Sequence, residues 1–183
     1  KKAGNPNAYN REPFSKTEVA KLWDVKDSNI YYTVILMLIY TGCRIGELLD
    51  LKKENVNLEE RYFKIVASKT AAGIRTAPIS EKVYPFFEYW YNLNDCEYLL
   101  STPEGEHFKY RNYYDSYWSP LIETLGMKHR PHDTRHTCIS MLTVAGVSDK
   151  VIKKIVGHKG QGVTEVVYTH FEIEELIDAI NKI

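Results

Sequence analysis

The chain has 183 residues, 24 Lys+Arg against 24 Asp+Glu, 44% hydrophobic and 13% aromatic content, and three cysteines. That length suits one domain with a sizeable core, and a charged fraction of 26% beside 14 tyrosines excludes a disordered tail. The longest apolar stretch, Ile30 to Tyr40, is interrupted by Thr33 and is too short to span a bilayer. Cys43, Cys96 and Cys138 are far apart and lack metal-ligand spacing, so a reducing cytoplasm is the expected compartment. No basic-then-apolar leader opens the chain, and Lys1 in place of Met points to a piece of something longer.

Residues 1–13, with Gly4, Pro6 and Pro13, read as a linker remnant before a domain over 14–183. Ser15 followed by Glu18 is a capping-box signature and predicts a helix from Lys16 to about Val25. Ser28 is expected to cap a second helix through Tyr40, apolar nearly all round and therefore buried, with Gly42 as its stop. A short helix from Arg44 to Asp50 follows. Tyr62–Val66 and Ile74–Ile79 read as strands of a hairpin around Ser68-Lys69-Thr70. Ser80 caps an aromatic helix towards Leu93, and Tyr98–Leu100 is a third strand. A helix from Tyr110 to Leu125 is disturbed at Pro120. Pro131 starts a helix through Val144, Ser148 caps the next, Gly157 ends it, and Val163–Tyr168 and Glu172–Ile183 complete a helical C-terminus. The sum is a mostly α fold with a small antiparallel β-sheet.

Charge is balanced overall but not along the chain. Residues 60–82 carry five Lys/Arg against two Asp/Glu, and residues 126–160 carry seven against two. The blocks 83–106 and 161–183 are acidic. This alternation permits one positive face on a neutral protein, although ordinary surface patterning explains it as well.

Chemistry concentrates in Pro131-His132-Asp133-Thr134-Arg135-His136-Thr137. On a helix His132, Arg135 and His136 share one face, at an end where free N–H groups and the dipole favour an anion. Zinc is the rival, because His132 and His136 have metalloprotease spacing and His129 lies nearby. Against it, Asp133 stands where the required Glu would be and Arg135 brings a cation to the site. Arg44 lies at a Gly-flanked turn with Glu47 one helical turn on, placed to brace its guanidinium or to form a plain surface ion pair. Lys69 at a hairpin tip, His158 after a helix stop and Tyr168 ten residues later are ordinary residues when each is taken alone.

Read in order, these pieces resemble the catalytic domain of the tyrosine recombinases, the phage-integrase family. Thr41-Gly42-Cys43-Arg44-Ile45-Gly46-Glu47-Leu48 is similar to its T-G-x-R-x-x-E-L stretch, and Lys69 to its hairpin lysine. His132-Asp133-Thr134-Arg135 matches H-x-x-R, Gly157-His158 the G-H stretch, and Tyr168-Thr169-His170 the nucleophile. The resemblance implies the family's breaking-rejoining fold and a site of Arg44, Lys69, His132, Arg135, His158 and Tyr168, with no metal and no cofactor. It implies site-specific cleavage and rejoining of double-stranded DNA through a 3′-phosphotyrosine link, for integration or excision of a prophage or conjugative transposon. It also implies a synaptic tetramer, with the helix Glu172–Ile183 docking on a neighbour or, equally well, packing on its own domain. Relatives carry an upstream core-binding domain, and often an arm-binding domain, that this stretch does not include. Two other classes share features: a type IB topoisomerase uses the same residue types, and a non-catalytic DNA-binding module would account for Val147–Tyr168 as a helix-turn-helix.

Overall fold

The computed structural model describes residues 11–158 and 170–183. The expectations for the linker up to residue 10 and for Val163–Tyr168 lie outside the described residues. Helix α1 (Lys16–Val25) opens on the capping box: Ser15 Oγ accepts from the Glu18 N–H and the Glu18 carboxylate accepts from the Ser15 N–H. Helix α2 (Tyr31–Thr41) is buried at every position, which makes it the axis of the core, with α1, α4 and α7 packed around it. Each large aliphatic side chain there contributes about 1.5–3 kcal/mol by leaving water. Ser28 does not cap it. Its hydroxyl donates to the Val25 carbonyl and closes α1, while Asn29 Oδ1 accepts from the Tyr31 N–H.

Gly42 ends α2 at φ 69°. Glycine is required there twice over, because a Cβ would also stand 2.6 Å from Val156 Cγ1. The chain turns through Arg44 into the short helix α3 (Ile45–Leu49).

The sheet is antiparallel in the order β1 (Val56–Asn57), β2 (Tyr62–Ile65), β3 (Arg75–Pro78). Phe63 pairs with Ala77 and Ile65 with Arg75. The two-residue β1 is too short to leave an alternating pattern in the sequence. Tyr98–Leu100, expected as the third strand, makes only a single bridge, Tyr98 to Lys52. The β2–β3 hairpin matches the expectation to within one residue at each end.

Helix α4 (Tyr84–Asn92) covers the sheet, with Phe87 stacked 5.5 Å from Phe63. Helix α5 (Tyr110–Tyr113) passes through a π turn (Tyr114–Trp118) into α6 (Ser119–Thr124). The expected disturbance therefore falls one turn before Pro120, where the missing N–H and the ring crowd the preceding carbonyls. Helix α7 (His132–Val144) lies across α2, and α8 (Asp149–Val156) is capped by Ser148 and stopped at Gly157, φ 73°. Helix α9 (His170–Ile180) packs on β3 and α8 of its own chain, burying Leu176, Ala179 and Ile180, with Lys154 and Glu172 paired at 2.6 Å. Among the described residues no helix is long and apolar enough to cross a membrane.

Candidate active site

Four separate pieces of chain meet at one side of the core: the α2–α3 turn, the β2–β3 hairpin, the first turns of α7 and the end of α8. Their meeting follows from how α7 sits on α2. Arg135, on the inner face of α7, is 1% exposed, and its NH1 donates to the carbonyls of Gly42, at 3.0 Å, and Val156. One guanidinium thus bonds the turn before Arg44 to the residue two before His158.

Its other edge is unspent. Nε and NH2 of Arg135 are buried and have no hydrogen-bond partner among the described residues, and the same holds for NH1 of Arg44. A buried donor without an acceptor costs about 1–3 kcal/mol, more when charged. Such a cost persists where a ligand is to supply the missing oxygens. Burial, then the charges of Arg44 and Arg75, lower the Arg135 pKa to about 10, which still leaves it fully protonated at neutral pH.

Arg44, Lys69 and His132 line one open cavity of about 740 Å³, together with Lys64, Tyr110 and Arg130. Burial, then His136, Arg11, Arg135 and Arg44, push the His132 ring down to about 4, so it is a neutral imidazole at pH 7. His158, exposed at the end of α8, is also lowered, by partial burial and then by Arg135 and Arg44. Both guanidiniums thus act on both rings and disfavour an added proton there. Lys69 is exposed on the hairpin. Tyr168 lies outside the described residues.

Glu47 performs more than the expected bracing of Arg44. Its Oε1 accepts from the Arg44 N–H at 2.8 Å, while the Arg44 guanidinium stands 3.7 Å from Oε2. Its close partner is Arg75, a residue the sequence reading passed over, with NH1 2.7 Å from Oε2 and NH2 3.3 Å from Oε1. Arg75 also donates to Gly73 O and, through Nε, to Ile155 O. It therefore ties the hairpin that carries Lys69 to the Arg44 turn and to the end of α8. The signal was available: Arg75 stands in register with inward-facing Ala77 and Ile79, a charge at a core position of a strand.

Among the described residues the zinc reading has no geometry to use. Both nitrogens of His129 face carboxylates, of Asp133 and Glu18, and the His132 and His136 rings stand edge to face at 5.0 Å. Among the described residues no group of three or more His, Cys, Asp or Glu is placed to hold a metal ion.

A helical core bearing a three-stranded sheet and a basic cleft between them is the tyrosine recombinase catalytic-domain fold. The Tn1549 transposon integrase in complex with a circular intermediate DNA superposes with a TM-score of 0.73 at 20% identity, covering 84% of this chain and 60% of that one. A lambda integrase tetramer bound to a Holliday junction superposes at 0.66 with 15% identity, over 87% of this chain and 50% of that one. Residues 14–175 match the phage integrase family model, and the chain belongs to that family. The tyrosine recombinase XerA of Pyrococcus horikoshii is 29% identical over 188 residues, 99% of this chain and 65% of that protein. The chain thus spans less than two thirds of the length of these relatives.

Proposed function

We propose that this chain is the catalytic part of a site-specific DNA recombinase that acts on double-stranded DNA. The observation that carries the reading is the pair of arginines, Arg44 and Arg135, whose buried N–H donors have no hydrogen-bond partner among the described residues and whose charges both act on a neutral His132.

A phosphodiester under attack gathers charge on its non-bridging oxygens, and donors waiting at that place stabilise the transition state more than the ground state. Arg44 and Arg135 supply those donors, and His158 adds one more. The Tyr168 phenol, with an ordinary pKa of about 10, gives its proton to the neutral Nε2 or Nδ1 of His132 as its oxygen bonds to phosphorus. The bond from phosphorus to the 5′ oxygen breaks, and Lys69, carried on the hairpin, returns a proton to that oxygen. The 3′-phosphotyrosine link conserves the phosphodiester, so the reverse attack by a 5′ hydroxyl needs neither ATP nor a cofactor. Two guanidiniums perform the charge neutralisation, so a metal ion has no step to perform.

Relatives described with transposon DNA and with a Holliday junction favour integration or excision of a mobile element, in a tetramer. Docking of the Glu172–Ile183 helix on a neighbour through its apolar face would take Leu176 and Ile180 from β3 and α8, where they are buried. The reaction belongs in the bacterial cytoplasm, on the nucleoid.

A pool of nicked duplexes, randomised around the nick, tests the chemistry. Wild-type chain is expected to form a denaturant-stable protein–DNA adduct that persists in EDTA. Tyr168→Phe is expected to bind the same pool and form none. An adduct from Tyr168→Phe removes Tyr168 from the role, and an EDTA-sensitive one removes the two-arginine account.

A further inference from the structure

His129, in the turn that precedes α7, is used by none of the chemistry above, yet it is held on every side. Its side chain is 6% exposed, and the ring lies against Phe14 with centroids 3.9 Å apart and planes at 19°. Nδ1 stands 2.9 Å from Asp133 Oδ2. Nε2 stands 3.0 and 3.1 Å from the two carboxylate oxygens of Glu18. The groups facing the ring are thus Glu18 from α1, Asp133 from α7 and the Phe14 face. The main-chain carbonyl is taken by the indole N–H of Trp118 at 2.9 Å.

A neutral imidazole has one N–H. Between two carboxylates it would set its bare nitrogen against an acceptor, whereas the imidazolium donates from both sides. Burial alone would raise the Glu18 carboxyl, but the Ser15 backbone bond and the His129 bond and charge outweigh it and hold the group below its usual value. Glu18 therefore faces the ring as an anion. Asp133, fully buried, also accepts from the Arg130 N–H at 3.1 Å, which closes the turn leading into α7. The same carboxylate thus fixes both the ring and the backbone from which His132 and Arg135 project.

We propose that His129 is an imidazolium clamped between Glu18 and Asp133, a positioning residue that locks the entry of α7 and so aims His132 and Arg135. The inference rests on the recombinase reading for its catalytic consequence, but the clamp itself does not. Its prediction is a dependence on both carboxylates: without one of them the ring is held from a single side and the entry to α7 loosens.

The test uses the chain labelled with ¹⁵N at histidine and arginine. Wild type should show both His129 ring nitrogens protonated at neutral pH; a neutral tautomer overturns the clamp. Glu18→Gln, at a partly exposed position on α1, should shift the Arg135 Nε–H signal. In single-turnover cleavage, the same variant should cost roughly ten- to hundredfold in rate, with DNA affinity unchanged. Ser15→Ala, which removes the hydroxyl that caps α1 but leaves both carboxylates, should soften α1 without moving the Arg135 signal or the rate. A Glu18→Gln variant with the wild-type Arg135 signal and rate overturns the positioning role. Failure of wild type to cleave any DNA counts against the recombinase reading, while the ring and Arg135 signals go on deciding the clamp.

Discussion

His132 is a group whose environment sets both its chemistry and its pH signature. With its pKa near 4 in the fold, against an ordinary value of about 6.5, it binds fewer protons folded than unfolded between those values. Stability is therefore unaffected by this ring above about pH 6.5 and falls as the pH drops from there towards 4. His132→Asn should flatten that part of the acid slope, read as the urea midpoint at a series of pH values. An unchanged slope would mean that the fold does not depress the ring's pKa and that the arginine charges do not reach it. A bound phosphate would counter the arginine charges and raise the ring's basicity where it is needed. At this scale the motif residues were legible because spacing alone puts His132 and Arg135 on one helical face. Arg75 and the His129 clamp were not, because each acts through partners remote in sequence: Ile155 for the first, Glu18 for the second.

Elements were legible where local chemistry decides them. The Ser15–Glu18 box, the Ser148 cap and the glycines at 42 and 157 each state their role within four residues, and all appear as expected. Ser28 and Tyr98–Leu100 failed for the opposite reason. Two polar residues competed for the start of α2, and strand pairing is settled by what lies opposite rather than by the strand itself. The link between elements is where function is most exposed to mutation. Arg75 and Glu47, with side chains 2% and 6% exposed, form a buried pair that joins the hairpin, the Arg44 turn and α8. Glu47→Gln leaves the Arg75 charge uncompensated in the core and should cost about 3 kcal/mol in urea unfolding. It should also slow adduct formation, because Arg44 loses the carboxylate behind it. A loss below about 1 kcal/mol would place the pair in effective contact with water.

For the whole molecule the formal net charge is zero, so any hold on DNA must come from where the charges stand and not from how many there are. Arg44 joins Lys64, Lys69 and Arg130 of the two basic blocks in lining one cavity, with Arg135 behind it and Glu47 and Asp50 also on its wall. Four cations at one mouth predict a modest electrolyte dependence, since each phosphate neutralised contributes about −0.9 to the slope of log K against log salt concentration. The isolated chain should therefore bind a duplex with a slope of about −4, measured by anisotropy across a salt series. Lys69→Ala should reduce that slope by about one while weakening all sequences alike, the mark of a contact to phosphate and not to a base. A slope twice as steep would mean that DNA engages far more of the surface than this cleft. A slope near zero would detach the cavity from DNA binding altogether. A duplex displaced from the cleft should lose its attraction within about a Debye length, ~10 Å at 0.1 M salt. A neutral catalytic piece of this kind would select the register in which the scissile phosphate meets Arg44 and Arg135 and hold others weakly.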